Sequence, residues 1–245
     1  MARKVLVTGA AGRIGGFFVA QYKDQYDFVL TDIRTPEDTH GFPFIEADLT
    51  DFDTLRRACE GMDTVIHMAA AVSTESTWEQ LLPNNLIGLY HVYEAAHQAG
   101  CRRVVFASTI NVYSGYPEAQ LDIAQDAIIR PGNLYGATKA WGEAAGSVYA
   151  DKKGLSVICL RFGWVVPRAS EHIRPGHPLL NMVATLEDTV ESIRLSVEAP
   201  DSLRYHSFNV ISDNREKKLD ISVTRELLGY NPQDDGYALA ERRNA

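Results

Sequence analysis

Tyr135 and Lys139 lie four residues apart in Leu134-Tyr135-Gly136-Ala137-Thr138-Lys139, a stretch that reads as helix. Positions i and i+4 share a helix face, so a phenol and an ammonium meet there. A charge about 4 Å away in an effective dielectric of about 20 is worth about 4 kcal/mol, roughly three pKa units, enough to bring a tyrosine from about 10 towards neutrality. The pair can therefore carry a proton. Thr109, just past an apolar run, offers a hydroxyl to orient a substrate oxygen. Upstream, Gly9-Ala10-Ala11-Gly12-Arg13-Ile14-Gly15 follows the opening run Val5 to Val7 with the spacing GxxGxxG. The first glycine allows a tight turn and the second lets backbone approach a pyrophosphate. The third lets the next helix pack on the sheet with its N-terminal dipole towards the phosphates. Asp32 closes Phe28-Val29-Leu30-Thr31-Asp32, roughly 20 residues on, where a carboxylate accepts bonds from ribose hydroxyls and repels a 2′-phosphate. That favours NAD over NADP, although Arg13 or Arg34 could reach a phosphate and soften the preference. A proton carrier downstream of a dinucleotide turn points to hydride transfer.

The elements that must position these residues alternate. Short β-rich runs fall at about 3–8, 28–32, 43–46, 63–67, 103–108, 155–161 and 206–210. Helical patterns lie between and after them at about 13–25, 51–60, 78–99, 133–153, 186–199 and 221–228. This order predicts an α/β, Rossmann-type, doubly wound parallel sheet with crossover helices on both faces. One domain is expected over 1–245, with a dinucleotide-binding core over about 1–161 and a small C-terminal substrate lobe from about 162. Segments 114–131 and 165–180, rich in Pro, Gly and charge, follow strands and are candidate lids over the crevice. The polar tail from Asn231 is expected to fray.

The 245 residues carry a formal charge of −8, with 45% hydrophobic and 23% charged residues, a composition that invites neither nucleic acid nor an anionic membrane. Met1 to Thr8 runs directly into a predicted strand and leaves no room for a signal peptide. Cys59, Cys101 and Cys159 are far apart and odd in number, which argues against disulfides and metal ligation alike. A reducing cytoplasm is the expected setting.

Other residues have two readings. Asp48 could accept a bond from an adenine amine or belong to a helix start with Thr50 and Asp51. The small residues of Met68-Ala69-Ala70 would let a cofactor lie against the backbone, whereas His67 reads as a packed, hydrogen-bonded histidine. Arg168 and Arg174 could form the fork a carboxylate prefers or stay on a loop surface. Ser73 could touch substrate or cap a helix. Trp78 and Trp141 read as helix-packing residues.

The chain resembles the extended short-chain dehydrogenase/reductases over nearly its whole length. The resemblance is carried by Gly9/Gly12/Gly15, Asp32, Asp48, His67 to Ala70, Asn85 to Gly88, Thr109 to Tyr113, and Tyr135 to Lys139. It implies that Tyr135 is the general acid/base, that Lys139 also holds the nicotinamide ribose, and that Thr109 fills the family's Ser/Thr role. It further implies that Asn85 supports the lysine through a water, and that Phe106 to Ser108, with Ala107 at their centre, flank the nicotinamide. Arg13, Ile14, Leu49, Met68, Ala69 and Ala70 would complete the NAD site, and Ser73, Asn111, Arg168 and Arg174 the substrate site. Helices near 78–99 and 133–153 would form a homodimer contact. Within the family, enzymes acting on sugar nucleotides are generally longer, so a small sugar is implied. The segments around Asn85, Phe106 and Tyr135 look most like compact uronate dehydrogenases, which oxidise C1 of a hexuronate to an aldarolactone. Trp164 departs from that pattern, standing where a small hydroxyl residue is expected, and residues 168–178 differ as well. A dehydrogenase of another sugar or sugar phosphate, or an epimerase or dehydratase that retains its NAD, are the alternatives. A non-catalytic NAD-binding regulator is disfavoured by the presence of both Tyr135 and Lys139.

Overall fold

The computed structural model describes residues 2–242. Seven parallel strands form one sheet in the order β3-β2-β1-β4-β5-β6-β9, the doubly wound order expected. They are β1 (Arg3–Thr8), β2 (Tyr26–Asp32), β3 (Phe44–Glu46), β4 (Thr64–His67), β5 (Arg103–Thr109), β6 (Ser156–Phe162) and β9 (Tyr205–Val210). Every residue of β5 and β6 is buried, as central strands covered on both faces must be. Helices α1 (Arg13–Tyr22) and α6 (Leu186–Glu198) touch on one face of the sheet. On the other, α2 (Phe52–Cys59), α4 (Gly88–Gln98) and α5 (Leu134–Lys152) contact one another in sequence. Two hydrophobic clusters, one centred on Phe18, Phe28 and Phe208 and one on Leu55, Tyr93 and Phe106, make up the main core.

Three features depart from the sequence expectation. The helix expected over 78–99 is three pieces: α3 (Trp78–Leu81), a π-helical stretch Leu82–Ile87, and α4. Pro83 near the start of that stretch has no N–H to give to the usual ladder, and wide turns of this kind gather at functional sites. A second, two-stranded parallel sheet pairs β7 (Trp164–Val166) with β8 (Val183–Thr185), so the 165–180 loop is anchored at both ends. Finally, the tail does not simply fray. After α7 (Ser222–Leu228), residue Asp234 is buried and takes hydrogen bonds from Arg168 and Thr185. Then α8 (Gly236–Arg242) seats Ala240 in a small core with Val166, Ile173, Leu180 and Val183. The tail's polar residues make ion pairs and hydrogen bonds with distant loops, which a pattern of residue types does not reveal.

Candidate active site

The C-terminal strand ends open onto a cavity of about 1120 Å³, the crevice where open α/β sheets bind ligands. At one end is the glycine turn. Gly9 has φ +73°, and a Cβ on it would meet the Ala69 backbone at 2.6 Å, so β1 and β4 ends approach as only glycine permits. A side chain at Gly15 would collide with the Gly9 carbonyl. Helix α1 begins with no side-chain cap and no acidic first turn, leaving free N–H groups and a positive dipole end for an anion. Asp32, at the end of β2, accepts the Ala11 N–H at 3.0 Å on one oxygen and lines the cavity. Arg13 donates to the Val165 carbonyl at 3.2 Å and Arg34 to the Ala11 carbonyl at 3.4 Å, so both are tied to backbone near the turn. Ile14, Leu49, Met68, Ala69 and Ala70 line the same space.

A dinucleotide fits these residues. The cradle excludes a Cβ at Gly9 and Gly15, the uncapped α1 faces it, and exposed Ile33 with Leu49 supplies an apolar rim. Asp48 does not line the cavity. Its Oδ1 accepts the Thr50 N–H at 2.8 Å and the Thr50 hydroxyl at 2.7 Å, while its neighbours Ala47 and Leu49 form the wall.

At the other end stand Thr109, Tyr135 and Lys139, all lining the cavity. Helix α5 is started by Asn133, which accepts the Gly136 N–H at 2.7 Å and so fixes the first turn on which Tyr135 sits. Thr109 caps a 3₁₀ turn, Ile110–Tyr113, and its oxygen accepts from the Asn111 N–H at 3.2 Å and the Asn111 side-chain amide at 3.0 Å. Both lone pairs are then occupied, so the hydroxyl proton is left to donate. Asn111 is itself held by the Asn133 amide at 3.2 Å.

The phenol and the ammonium do not relate as the i, i+4 spacing suggested. Lys139 Nζ donates to the Ala107 carbonyl at 2.7 Å and lies 4.8 Å from the Phe106 ring centre and 5.8 Å from that of Tyr135. Burial pulls the Lys139 ammonium down to about 7. Burial pushes Tyr135 up to about 12, against a smaller lowering from the Thr109 hydroxyl. Desolvation disfavours both charges, and it outweighs the attraction expected from proximity alone. The site as folded holds a protonated tyrosine.

Asn85 sits behind this centre. It is buried, its Oδ1 accepts the Ala71 N–H at 2.9 Å, and its Nδ2 donates to the Ala71 carbonyl at 3.0 Å and to Thr138 Oγ1 at 3.1 Å. It pins the segment after β4 to α5 beside Lys139. His67 is the packed histidine expected: Nδ1 lies 2.7 Å from Thr8 Oγ1, the ring stacks on Phe106, and burial lowers its pKa to about 3.

Neither expected arginine reaches the cavity. Arg168 is held by Asp234 at 2.9 Å, and Arg174 is exposed on the loop. Ser73 accepts the Glu75 N–H at 3.1 Å, a local turn, and its neighbours Val72 and Thr74 line the wall instead. Both lid segments do contribute, through Ser114, Tyr116 and Glu118 on one side and Val165, Pro178 and Leu179 on the other.

Further residues complete the site, of which sequence reasoning singles out Trp164 and Ser108 but not Asn181, Met182, Lys218, Glu143 or Arg161. Trp164 stacks on His177 with ring centres 4.4 Å apart. Asn181, Met182 and Lys218 join it on the cavity wall. Ser108 donates to Glu143 at 2.5 Å, and Glu143 forms a buried ion pair with Arg161 at 2.6 Å. Arg161 also donates to the Tyr113 hydroxyl and to the Gln125 carbonyl, bracing the 3₁₀ turn from behind. The spacing of Lys139 and Glu143, again i and i+4, was the one available signal.

Known proteins share this arrangement. The NAD dependent epimerase/dehydratase family matches residues 5–198. The chain is similar to the L-arabinose 1-dehydrogenase (NAD(P)(+)) of Haloferax volcanii, 35% identical over 98% of this chain and 100% of that one. It is similar to the uronate dehydrogenase of Pseudomonas putida at 31% identity over 94% of this chain and 84% of that protein. Among solved structures, a mutant uronate dehydrogenase from Agrobacterium tumefaciens complexed with NAD superposes with a TM-score of 0.86 at 29% identity, covering 100% of this chain and 89% of that one. The glycine cradle, the strand-end carboxylate and the tyrosine–lysine helix thus sit in a chain that belongs to the NAD dependent epimerase/dehydratase family, with NAD as its cofactor.

Proposed function

We propose that this chain oxidises the anomeric C1 hydroxyl of a small free sugar to its lactone, with the hydride passing to NAD and the proton to Tyr135. That it is an NAD-dependent dehydrogenase of sugar CH–OH groups follows from its family and its relatives. The observation that carries the finer reading is the single cavity shared by the glycine turn, Asp32, Thr109, Tyr135 and Lys139. Hexuronates, expected from the sequence, belong to the same small-sugar class.

Each residue has a task. Gly9, Gly12 and Gly15 give the pyrophosphate its approach, and Asp32 holds the adenosine ribose. Thr109 donates its hydroxyl proton to the substrate oxygen as a carbonyl develops there, and Asn111 keeps that hydroxyl aimed. Tyr135 accepts the substrate proton, and Lys139, with two hydrogens beyond the one given to Ala107, holds the nicotinamide ribose. Bound NAD supplies the hydride acceptor and a positive charge that lowers the phenol's pKa. Incubating the protein with excess NAD and candidate sugars tests the reading. Accumulation of one NADH per sugar consumed supports it, whereas a new epimer with no net NADH contradicts it and favours a redox-neutral isomerase.

The functional unit in this proposal is a homodimer in a reducing cytoplasm. Leu134, Trp141 and Val148 recur every seven residues on α5 and are all exposed, next to exposed Trp78, Ile87 and Tyr90 on the preceding helical pieces. Such a stripe lies on one helix face and suits a second copy. The two tryptophans, expected as helix-packing residues, are exposed and placed to pack between chains. All three cysteines are buried and unpaired, which fits the reducing setting. Among the described residues no helix is long and apolar enough to cross a membrane.

A further inference from the structure

The substrate end of the cavity bears on which small sugar enters, given C1 oxidation as proposed above. The cations lining the cavity among the described residues are Arg13, Arg34, Lys139 and Lys218. Arg13 and Arg34 are tied down beside the glycine turn, and Lys139 belongs to the reaction centre. Lys218 remains. Its ammonium donates to the carbonyls of Pro117, Glu118 and Gln120, each at 2.8 Å. An ammonium has three hydrogens, so all of its donors are occupied. Its backbone N–H bonds the Asn181 carbonyl at 2.9 Å, which ties the two lid segments together. The Glu118 carboxylate accompanies this charge and also lines the cavity.

A substrate carboxylate or phosphate at this end of the cavity would therefore meet Glu118 and a fully engaged Lys218, the other lining cations lying at the glycine turn or the reaction centre. An anion that gives up water there gains no counter-charge in return and is disfavoured relative to a neutral group. The remaining groups suit hydroxyls. The uncharged polar residues Asn84, Asn111, Ser114 and Asn181 line the cavity and can exchange hydrogen bonds with hydroxyls. Trp164, Leu179 and Met182 supply apolar surface for the C–H face of a pyranose ring.

We propose that the substrate is a neutral aldose, a pentose or hexose, and that Glu118, beside the fully engaged Lys218, selects it over hexuronates and sugar phosphates. The test is a matched series: L-arabinose, D-galactose, D-galacturonate and D-galactose 6-phosphate, whose rings differ at C5 alone, and the corresponding xylose and glucose set. With the full chain and saturating NAD, kcat/KM from NADH formation should be at least about tenfold higher for the neutral members. In Glu118→Gln the ratio of neutral to uronate kcat/KM should shrink by about threefold or more, because a repulsive charge is gone. A uronate or phosphate preferred over its neutral counterpart overturns the inference and leaves C1 oxidation standing. An unchanged ratio in Glu118→Gln overturns the role of that residue, and no NADH from any member of either set overturns both the inference and the reading beneath it.

Discussion

Tyr135 must lose its proton before it can take one, yet burial holds it protonated up to about 12 and brings Lys139 down to about 7. A base whose pKa is raised is less available at neutral pH and becomes more so as pH rises. The kcat/KM for sugar oxidation should therefore climb between about pH 7 and 9, and a profile that falls over this range would contradict Tyr135 as the base. Lys139 has the opposite sign for stability. Between about 7 and its ordinary value of 10.5 the unfolded chain binds the extra proton, so this lysine's cost to the fold is full below 7 and is relieved as pH rises. Lys139→Met should remove that part of the pH dependence of unfolding by urea. At this scale the sequence was informative wherever chemistry is local. The glycines, Asp32, His67 and the tyrosine–lysine pair were all identifiable from spacing. What spacing could not convey was the dielectric: i and i+4 bring the two groups together, but the Ala107 carbonyl that draws Nζ aside belongs to a strand far off in the chain.

Elements are held in register by buried polar ties that few residue patterns announce. Glu143 on α5 and Arg161 on β6 form such a tie beneath Ser108 and Tyr113. Replacing one partner leaves the other charged and buried, so Arg161→Met should destabilise the fold by about 3–5 kcal/mol, read as a lower urea midpoint at unchanged slope. Destabilisation below about 1 kcal/mol would mean that water reaches Glu143. Asn85 is a second tie, from the π-helical stretch to Ala71 and Thr138. The strand and helix order was legible because alternating apolar runs and longer amphipathic segments admit few topologies. The π-helical stretch, the β7–β8 pair and α8 were not, since each depends on long-range partners: Pro83 beside a packed helix, three-residue strands that exist only in each other's presence, and an aspartate buried by an arginine from another loop.

For the whole molecule, the exposed stripe on α5 predicts a dimer that one charge should split. Trp141→Glu is expected to give a folded monomer by light scattering, with the parent chain at twice that mass. A monomeric parent would remove the dimer from the account. The lids follow a similar logic. Lys218 joins the 114–131 segment to the end of the 165–180 loop through its ammonium and its backbone N–H, and nothing in the local sequence distinguishes it from a surface lysine. Legibility ended where loops meet in space, and for that reason Asn181 and Lys218 line the cavity unannounced while Arg168, Arg174 and Ser73 lie outside its lining.

The central claim is that Tyr135 carries the proton while a separate set of residues holds NAD. Tyr135→Phe removes one oxygen, the atom the claim depends on. NAD affinity, followed by quenching of tryptophan fluorescence, and NADH formation from the best sugar should be measured on the same preparation. The account predicts NAD affinity within about threefold of the parent and turnover lower by about a hundredfold or more. Turnover near that of the parent, with NAD still bound, would contradict it.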